Sequence, residues 1–162
     1  MTTNEQPTSP TPSRGGVNII IPDLVLQRAQ ILSWALDEKR EFFRRHNITV
    51  VVNFWSKLDA DMSECWGVRY LYIPRPSSRG MLDPDIPVLA QAVLQLVRAS
   101  GGKVLVLCEA GKTRSVYFSL ILMSLHWNIP LREALTRLTI KHSLKGFMLD
   151  RIHNEPTTSS SV

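Results

Sequence analysis

The chain has 162 residues, of which 44% are hydrophobic and 20% are charged, a composition that is ordinary for a soluble globular protein with one core. Its two cysteines cannot build a disulfide framework, and no apolar run reaches the roughly 18 residues that span a bilayer. The net charge of +5 predicts acidic partners or substrates, while the lack of long basic runs argues against nucleic acid.

The two ends of the chain differ in composition from its middle. Residues 1–16 are mostly Thr, Ser, Pro and Gly, and residues 155–162 are again rich in Thr and Ser, so both segments predict disordered tails. A folded domain is expected over residues 17–154, as a monomer without stable insertion into a membrane. The first residues lack the basic-then-apolar pattern of a signal peptide, and a reducing, cytoplasmic location is therefore expected.

The first half of the domain is predicted to alternate strands with one helix. Two short strands, a charged amphipathic helix and a Val-rich strand are predicted at residues 17–21, 24–26, 36–46 and 48–54. Asn47 is suited to end the helix, and the Val-rich strand is expected near the centre of a sheet. A polar loop at 56–66, a strand at 69–73 and an irregular loop at 74–85 follow.

The second half is predicted to be mainly helical. Helices are expected at residues 86–99, 116–127, 131–140 and 146–153, with a buried strand at residues 103–107 between the first two. Helices between strands predict an α/β fold: a single-domain three-layer sandwich with a mainly parallel central sheet flanked by helices. Ligands of such sheets bind beyond the carboxyl ends of the strands, where the loop after residue 107 is expected to lie.

That loop runs from Cys108 to Arg114 and has Gly111 in its middle. Backbone N–H groups of a loop that enters a helix converge on one spot, and the helix dipole favours negative charge there. Arg114 adds a planar, permanently charged fork that matches phosphate oxygens. A thiol in such surroundings is driven toward the nucleophilic thiolate. The loop therefore predicts a phosphate-binding site with Cys108 as a nucleophile.

Residues 108–115 read Cys-Glu-Ala-Gly-Lys-Thr-Arg-Ser and resemble the signature of the cysteine-dependent phosphatases: Cys, five residues, Arg, then Ser or Thr. The short chain and the lead-in Val-Leu-Val-x-Cys are most similar to the dual-specificity branch of the protein-tyrosine phosphatase superfamily. The similarity covers residues 17–153, including Val-Asn-Ile-Ile-Ile-Pro, Tyr-Leu-Tyr-Ile-Pro and Gly-Phe-Met-Leu-Asp-Arg-Ile. It implies a dual-specificity phosphatase-like fold and hydrolysis of phosphomonoesters without a metal or another cofactor.

The resemblance also implies a role for each residue of the loop. Cys108 would become phosphorylated, Arg114 would clamp the phosphoryl oxygens, and Ser115 would donate a hydrogen bond that helps the sulfur leave. The backbone around the phosphate would bind its remaining oxygens through Glu109, Ala110, Gly111, Lys112, Thr113 and Arg114. The Lys112 side chain is either a contact to a further phosphate, as in phosphoinositide phosphatases of the tensin type, or a solvated surface lysine.

Three positions depart from the family pattern. Leu107 stands where the family has a histidine before the cysteine, and Leu144 replaces an asparagine before the last helix. The general acid of the family is an aspartate in the loop after the Tyr-Leu-Tyr-Ile-Pro strand, and by spacing that position falls at Ser77 or Ser78. Neither serine can serve as that acid, so the proton donor has to be sought elsewhere.

The loop at residues 74–85 holds two carboxylates, Asp83 and Asp85. A helix that begins at Ile86 makes Asp85 its N-cap and places Pro87 in the first turn, where the missing N–H costs nothing. Asp85 is then structural and Asp83 is free, while Gly80 supplies the flexibility to fold the loop over the phosphate. Asp83 is therefore either a displaced general acid or an exposed loop aspartate.

Two functions are compatible with this sequence, and a third class is a structural protein that only retains the fold. The first is an enzyme that hydrolyses phosphotyrosine, phosphoserine, phosphothreonine or a phosphorylated lipid or sugar. The second is a pseudophosphatase that binds phosphorylated partners with little turnover. Cys65 is either a structural thiol or a redox partner of Cys108, and Trp66 either packs in the core or lines a pocket. Arg75 is interpreted as an ordinary surface charge.

Overall fold

The computed structural model describes residues 16–155, so the predicted tails lie outside the described residues except for Gly16 and Glu155. Five strands form one sheet in the order β1-β2-β5-β3-β4. Their bounds are β1 Asn18–Ile21, β2 Val25–Ala29, β3 Ile48–Asn53, β4 Arg69–Tyr72 and β5 Lys103–Cys108. Strand β1 is antiparallel to β2, and all other neighbouring strands are parallel. This confirms the predicted α/β class with a mainly parallel sheet.

Helices cover both faces of this sheet and complete the three predicted layers. Their bounds are α1 Leu36–Arg45, α2 Asp85–Ser100, α3 Arg114–Trp127, α4 Leu131–Arg137 and α5 Gly146–Asn154. Helix α1 packs with the smaller apolar cluster on one face, and the other four helices pack in the larger cluster on the opposite face. Among residues 16–155, no helix is both long and apolar enough to cross a bilayer.

Strand β5 lies at the centre of the sheet, and its side chains contribute to both apolar clusters. Its side chains alternate between the two faces, as the period of a strand requires. Val104, Val106 and Cys108 belong to the cluster that contains α3, whereas Leu105 and Leu107 belong to the cluster that contains α1. Cys108 and the residue before it therefore face opposite layers of the molecule.

Most predicted boundaries are confirmed to within a few residues, with two differences, one in the position of a strand and one in the length of a helix. The Val-rich strand β3 lies beside the central strand, not at the centre, and the helix predicted at 131–140 ends at Arg137. Helix α1 ends as predicted, because Asn47 takes a left-handed conformation with φ of 53° and its N–H bonds to the carbonyl of Arg44 at 3.2 Å.

Two 3₁₀ turns, Ala60–Glu64 and Ser78–Leu82, lie in segments predicted to be irregular. The first is stabilised by Asp59, whose carboxylate accepts the N–H of Asp61 at 3.1 Å. The ammonium of the fully buried Lys39 on α1 lies 2.9 Å from Asp59 and 2.8 Å from Asp61. The turn is thus fixed by a contact with a distant helix, which composition alone does not reveal.

Candidate active site

The cradle loop, defined as residues 109–114, leads from β5 into the first turn of α3. Its shape depends on Gly111, which has a φ of 68°, a value that favours glycine. A Cβ atom at this position would lie 2.4 Å from the backbone nitrogen of Ala29 at the end of β2. The loop also accepts the N–H of Gln30 at the carbonyl of Glu109, at 3.3 Å. The cradle loop therefore packs directly against the end of strand β2.

Cys108 is the last residue of β5, and its side chain is buried at the base of the cradle loop. Its Sγ lies 3.1 Å from the Oγ of Ser115, which belongs to the first turn of α3. A thiol at a helix N-terminus experiences the positive end of the helix dipole, which favours the thiolate. Sulfur, hydroxyl and helix end thus meet, and the role of Cys108 as a nucleophile stays a prediction.

Ser115 has a second buried partner, Gln27 on β2. The amide nitrogen Nε2 of Gln27 donates to the carbonyl of Gly111 and to the Oγ of Ser115, both at 2.6 Å. Its Oε1 accepts a hydrogen bond from Nδ2 of Asn18 at 2.7 Å. This fully buried amide links two neighbouring strands to the cradle loop and to the helix behind it.

Arg114 is the first residue of α3, and its side chain is 14% exposed. Its Nη1 donates to the carbonyl of Arg75 at 2.6 Å, and the Phe54 carbonyl lies at 3.4 Å. Its Nη2 lies 3.9 Å from the carboxylate of Glu109 in the cradle loop. Two backbone carbonyls at the carboxyl end of the sheet therefore hold one nitrogen of the fork, and a guanidinium has further N–H donors for a ligand.

The outer part of the cradle loop is attached to the segment before α5. The N–H of Ser143 donates to the carbonyl of Lys112 at 2.8 Å, and Oγ1 of Thr113 donates to the carbonyl of Ser143 at 3.0 Å. The Lys112 side chain is exposed, and Lys141 and Lys145 flank the attached segment. The rim of the cradle loop on this side is consequently basic.

The acid loop, defined as residues 74–85, differs from the prediction at its end. Helix α2 begins at Asp85 with Pro84 at the N-cap, so Asp85 as the N-cap was wrong. The Asp85 carboxylate has another partner: its Oδ2 lies 2.6 Å from Nη2 of Arg75, and no side chain caps the helix. Asp85 is nonetheless structural, and Pro87 still lies in the first turn of α2.

Asp83 is exposed and directly follows the 3₁₀ turn of the acid loop. Its backbone N–H donates to the carbonyl of Gly80 at 3.3 Å, and its carbonyl accepts the N–H of Ile86 at 3.1 Å. Gly80 packs against Arg75, because a Cβ atom there would lie 2.9 Å from the Cδ of that side chain. The backbone around Asp83 is therefore anchored, and its role as general acid stays a prediction.

Three solved structures show the same architecture at low sequence identity. PTPMT1 in complex with PI(5)P superposes with a TM-score of 0.70 at 17% identity, covering 84% of this chain and 91% of that chain. The PTP-2 phosphatase of Cydia pomonella gives 0.68 at 16% identity, covering 84% and 87%. Human DUSP28 gives 0.65 at 18% identity, covering 90% and 94%.

The chain has the fold of the dual-specificity phosphatases. No family model matches the sequence, and no curated protein matches it either. Likeness in structure at such identities establishes the fold, and the activity of a site must be argued from its own residues.

Two departures from the dual-specificity phosphatase pattern can now be placed. Leu107 is buried in the cluster beside α1, on the face of β5 that points away from the thiol, so a histidine there would act on Cys108 through the backbone. Leu144 is buried beside α3 and α5, next to the segment that holds Lys112 and Thr113. Both leucines add apolar packing where the pattern has polar groups.

The two cysteines lie in different layers of the molecule. Cys65 belongs to the cluster beside α1, Cys108 belongs to the cluster beside α3, and both are free thiols. The alternative of a disulfide between them is therefore wrong. Burial raises the pKa of the Cys65 thiol, which keeps it protonated at neutral pH. Trp66 is 91% exposed, so it does not pack in the core.

Sequence reasoning missed two residues of this site. Arg75 is not an ordinary surface charge: its side chain is 18% exposed, it pairs with Asp85, and its carbonyl accepts from Arg114. Gln27 was overlooked although its position carried a signal. A polar residue in an apolar strand, at a position that alternation places toward the core, must find buried partners.

Proposed function

We propose that this protein hydrolyses phosphomonoesters through a phosphocysteine intermediate on Cys108. The observation that carries the proposal is the Sγ of Cys108, 3.1 Å from a hydroxyl at the N-terminus of α3 and enclosed by a loop that ends in Arg114. Converging N–H groups, a helix dipole and a guanidinium stabilise the charge that develops on a transferring phosphoryl group. No other buried nucleophile among the described residues has such surroundings.

The reaction runs in two displacements. In the first, the thiolate of Cys108 attacks phosphorus, the bond from phosphorus to the ester oxygen breaks, and that oxygen leaves with a proton from a general acid. In the second, water attacks the phosphocysteine and gives a proton back to the carboxylate left by the general acid, the bond from phosphorus to sulfur breaks, and sulfur departs as a thiolate while inorganic phosphate is released. The Ser115 hydroxyl supports that departure by donating a hydrogen bond to sulfur.

We assign the general acid to Asp83. Of the two carboxylates in the acid loop, Asp85 is held by Arg75 at 2.6 Å, and Asp83 is exposed. The same loop contacts the site directly, because the carbonyl of Arg75 accepts a hydrogen bond from Arg114 at 2.6 Å. In this assignment, the exposed Asp83 side chain turns toward the leaving oxygen when the substrate binds.

The substrate is a phosphorylated protein, lipid or sugar. The basic rim formed by Lys112, Lys141 and Lys145 favours a substrate with negative charge beyond the scissile phosphate. One structure of similar fold, PTPMT1, contains PI(5)P. We retain the cytoplasm as the location and a monomer as the working state.

A second candidate function is a pseudophosphatase that binds phosphorylated partners with little turnover. It is favoured by the acid loop, where Ser77 and Ser78 occupy the place of the usual acid and Asp85 is engaged by Arg75. The cradle loop would then serve for recognition, and Cys108 would contribute shape and charge without reacting.

Hydrolysis of a small aryl phosphate, with and without orthovanadate, tests the proposal and separates the two candidates. The enzyme predicts vanadate-sensitive turnover that Cys108→Ser abolishes and Cys65→Ser preserves, because Cys65 lies in the opposite layer. Retained turnover in Cys108→Ser would rule out the phosphocysteine mechanism. Phosphate or vanadate binding without turnover in the unaltered protein would establish the pseudophosphatase instead.

A further inference from the structure

We propose that Gln27 is a positioning residue of the thiol: it fixes the direction of the Ser115 hydroxyl so that the proton of that hydroxyl points at Cys108. The inference rests on the proposed function for its effect on turnover, whereas its effect on thiol reactivity can be measured without turnover. Gln27 lies on β2, outside the signature segment, and does not touch the sulfur itself.

The orientation of the Gln27 amide follows from its partners. The carbonyl of Gly111 can only accept a hydrogen bond, so the group 2.6 Å from it must be the amide nitrogen of Gln27. The oxygen Oε1 then faces Asn18 Nδ2 at 2.7 Å, where a donor is available. A flipped amide would place its oxygen 2.6 Å from the Gly111 carbonyl oxygen, where neither atom can donate, and the buried carbonyl would lose its donor.

The orientation of the Ser115 hydroxyl follows from that of Gln27. The second hydrogen of Nε2 points at Oγ of Ser115 at 2.6 Å, so Ser115 accepts there. A hydroxyl has one proton to donate, and Sγ of Cys108 lies 3.1 Å from the same oxygen. The proton therefore points at sulfur, and a donor aimed at sulfur stabilises the thiolate over the thiol.

The position of Gln27 is itself fixed. It is fully buried, and its backbone lies in the sheet between Asn18 of β1 and Val106 of β5. Gly111 lies against Ala29 of the same strand, so Gln27 and the cradle loop cannot move apart independently. A donor held on two rigid elements costs no reorganisation when charge develops on sulfur.

The experiment measures the rate of Cys108 alkylation by iodoacetamide against pH, in a Cys65→Ala background so that one thiol reports. Gln27→Met keeps the approximate volume but removes both donors. The pH midpoint of alkylation should rise by about one pH unit, the lower end of what one hydrogen bond to a charged group contributes. Ser115→Ala should raise the midpoint by about that unit. Ser119→Ala removes a buried hydroxyl of α3 that bonds to the Ser115 carbonyl instead of sulfur, and it should leave the midpoint in place.

The double variant decides between positioning and general support. If Gln27 acts through Ser115, adding Gln27→Met to Ser115→Ala shifts the midpoint no further. An unmoved midpoint in Gln27→Met, or an equal shift with and without Ser115, would overturn the proposal. The charged and titratable groups on the elements around the thiol are the same in all these variants: Arg28, Arg75, Glu109, Lys112, Arg114 and Tyr117.

Two further measurements test the role of Gln27 separately from the proposed function. In the unaltered protein, the side-chain N–H signals of Gln27 in NMR spectra should shift with the alkylation midpoint, and signals that do not titrate would contradict the proposal even if Gln27→Met fails to fold. With an aryl phosphate, Gln27→Met should lower steady-state turnover about tenfold and enlarge the initial burst of phenol, because sulfur leaves less readily. An inactive unaltered protein would refute the proposed function and leave the alkylation test of Gln27 intact.

Discussion

The cradle loop and the acid loop contact each other through Arg114, but they are supported very differently. The cradle loop is held by buried hydrogen bonds from β2 and by the attached segment before α5. The acid loop carries its free carboxylate, Asp83, exposed to solvent, and its other carboxylate in an ion pair. Phosphate binding and nucleophilic attack are therefore preorganised, whereas proton delivery depends on an exposed side chain.

This comparison predicts that substitutions in the cradle loop will damage every phosphate reaction, while substitutions in the acid loop will depend on the leaving group. The largest effect is expected at Arg114. In Arg114→Lys the planar fork becomes a single point charge that cannot contact two oxygens at once, so kcat/KM for an aryl phosphate should fall about 10³-fold. Arg137→Lys changes an exposed partner of Glu133 in the same way and should leave the rate unchanged. Similar rates for both variants would show that Arg114 does not bind the phosphoryl group.

Gly111→Ala should disrupt the preorganised cradle loop. The new Cβ atom would lie 2.4 Å from the Ala29 nitrogen at a φ of 68°, so the free energy of unfolding should fall by about 3 kcal/mol. Phosphate-analogue binding should weaken with it. Gly146→Ala is the control, because nothing lies within 4 Å of its Cβ position at the start of α5. Melting curves that place the two variants together would contradict the close contact between β2 and the cradle loop.

Asp83→Asn, in the acid loop, should affect the turnover of alkyl phosphates and aryl phosphates differently. An alkyl phosphate needs a proton on its leaving oxygen, so its turnover should fall on the order of 10²-fold, and an aryl phosphate should lose much less. Asp85→Asn removes the partner of Arg75 and should lower the melting temperature without this dependence on the substrate. If Asp83→Asn leaves both rates intact, another group is the acid or none is, and the pseudophosphatase gains support.

The smallest effect is expected at Leu107. Polar groups of Asn53, Asp59 and Tyr70 line the small cavity beside Leu107. The imidazole introduced by Leu107→His therefore has hydrogen-bond partners there. The ring lies on the face of β5 opposite the thiol and acts through the backbone, so the alkylation midpoint of Cys108 should fall by about half a pH unit or less. Labelling should stay selective for Cys108, because burial raises the pKa of Cys65. An unchanged midpoint would show that this departure from the family pattern is neutral.

The sequence was sufficient to predict β5, the cradle loop and α3, because their signals are local. A short Val-rich strand, a glycine that needs a positive φ and a long apolar helix each follow from neighbouring residues. Pairings between side chains that the fold brings together were not predictable in this way. Asp85 pairs with Arg75 instead of capping α2, and Lys39 orders the turn around Asp61 from another helix. These pairings depend on how the elements pack.

The site shows the same division between local and distant signals. Cys108, Arg114 and Ser115 lie within one segment, and their spacing indicates their meeting point. Gln27 reaches Ser115 across 88 positions of the chain, through a parallel pairing of β2 with β5 that the sequence does not specify. A buried polar residue in a strand could be flagged from the sequence, but its partner could not.

A phosphocysteine at Cys108 can be detected directly by mass spectrometry of the protein quenched in acid during turnover of an aryl phosphate. The account predicts one phosphate on the peptide that contains Cys108, absent in Cys108→Ser and present in Cys65→Ser. It also predicts more of this adduct in Ser115→Ala, where sulfur leaves more slowly. Vanadate-sensitive turnover without an adduct on Cys108 at any quench time, or an adduct on another residue, would contradict it.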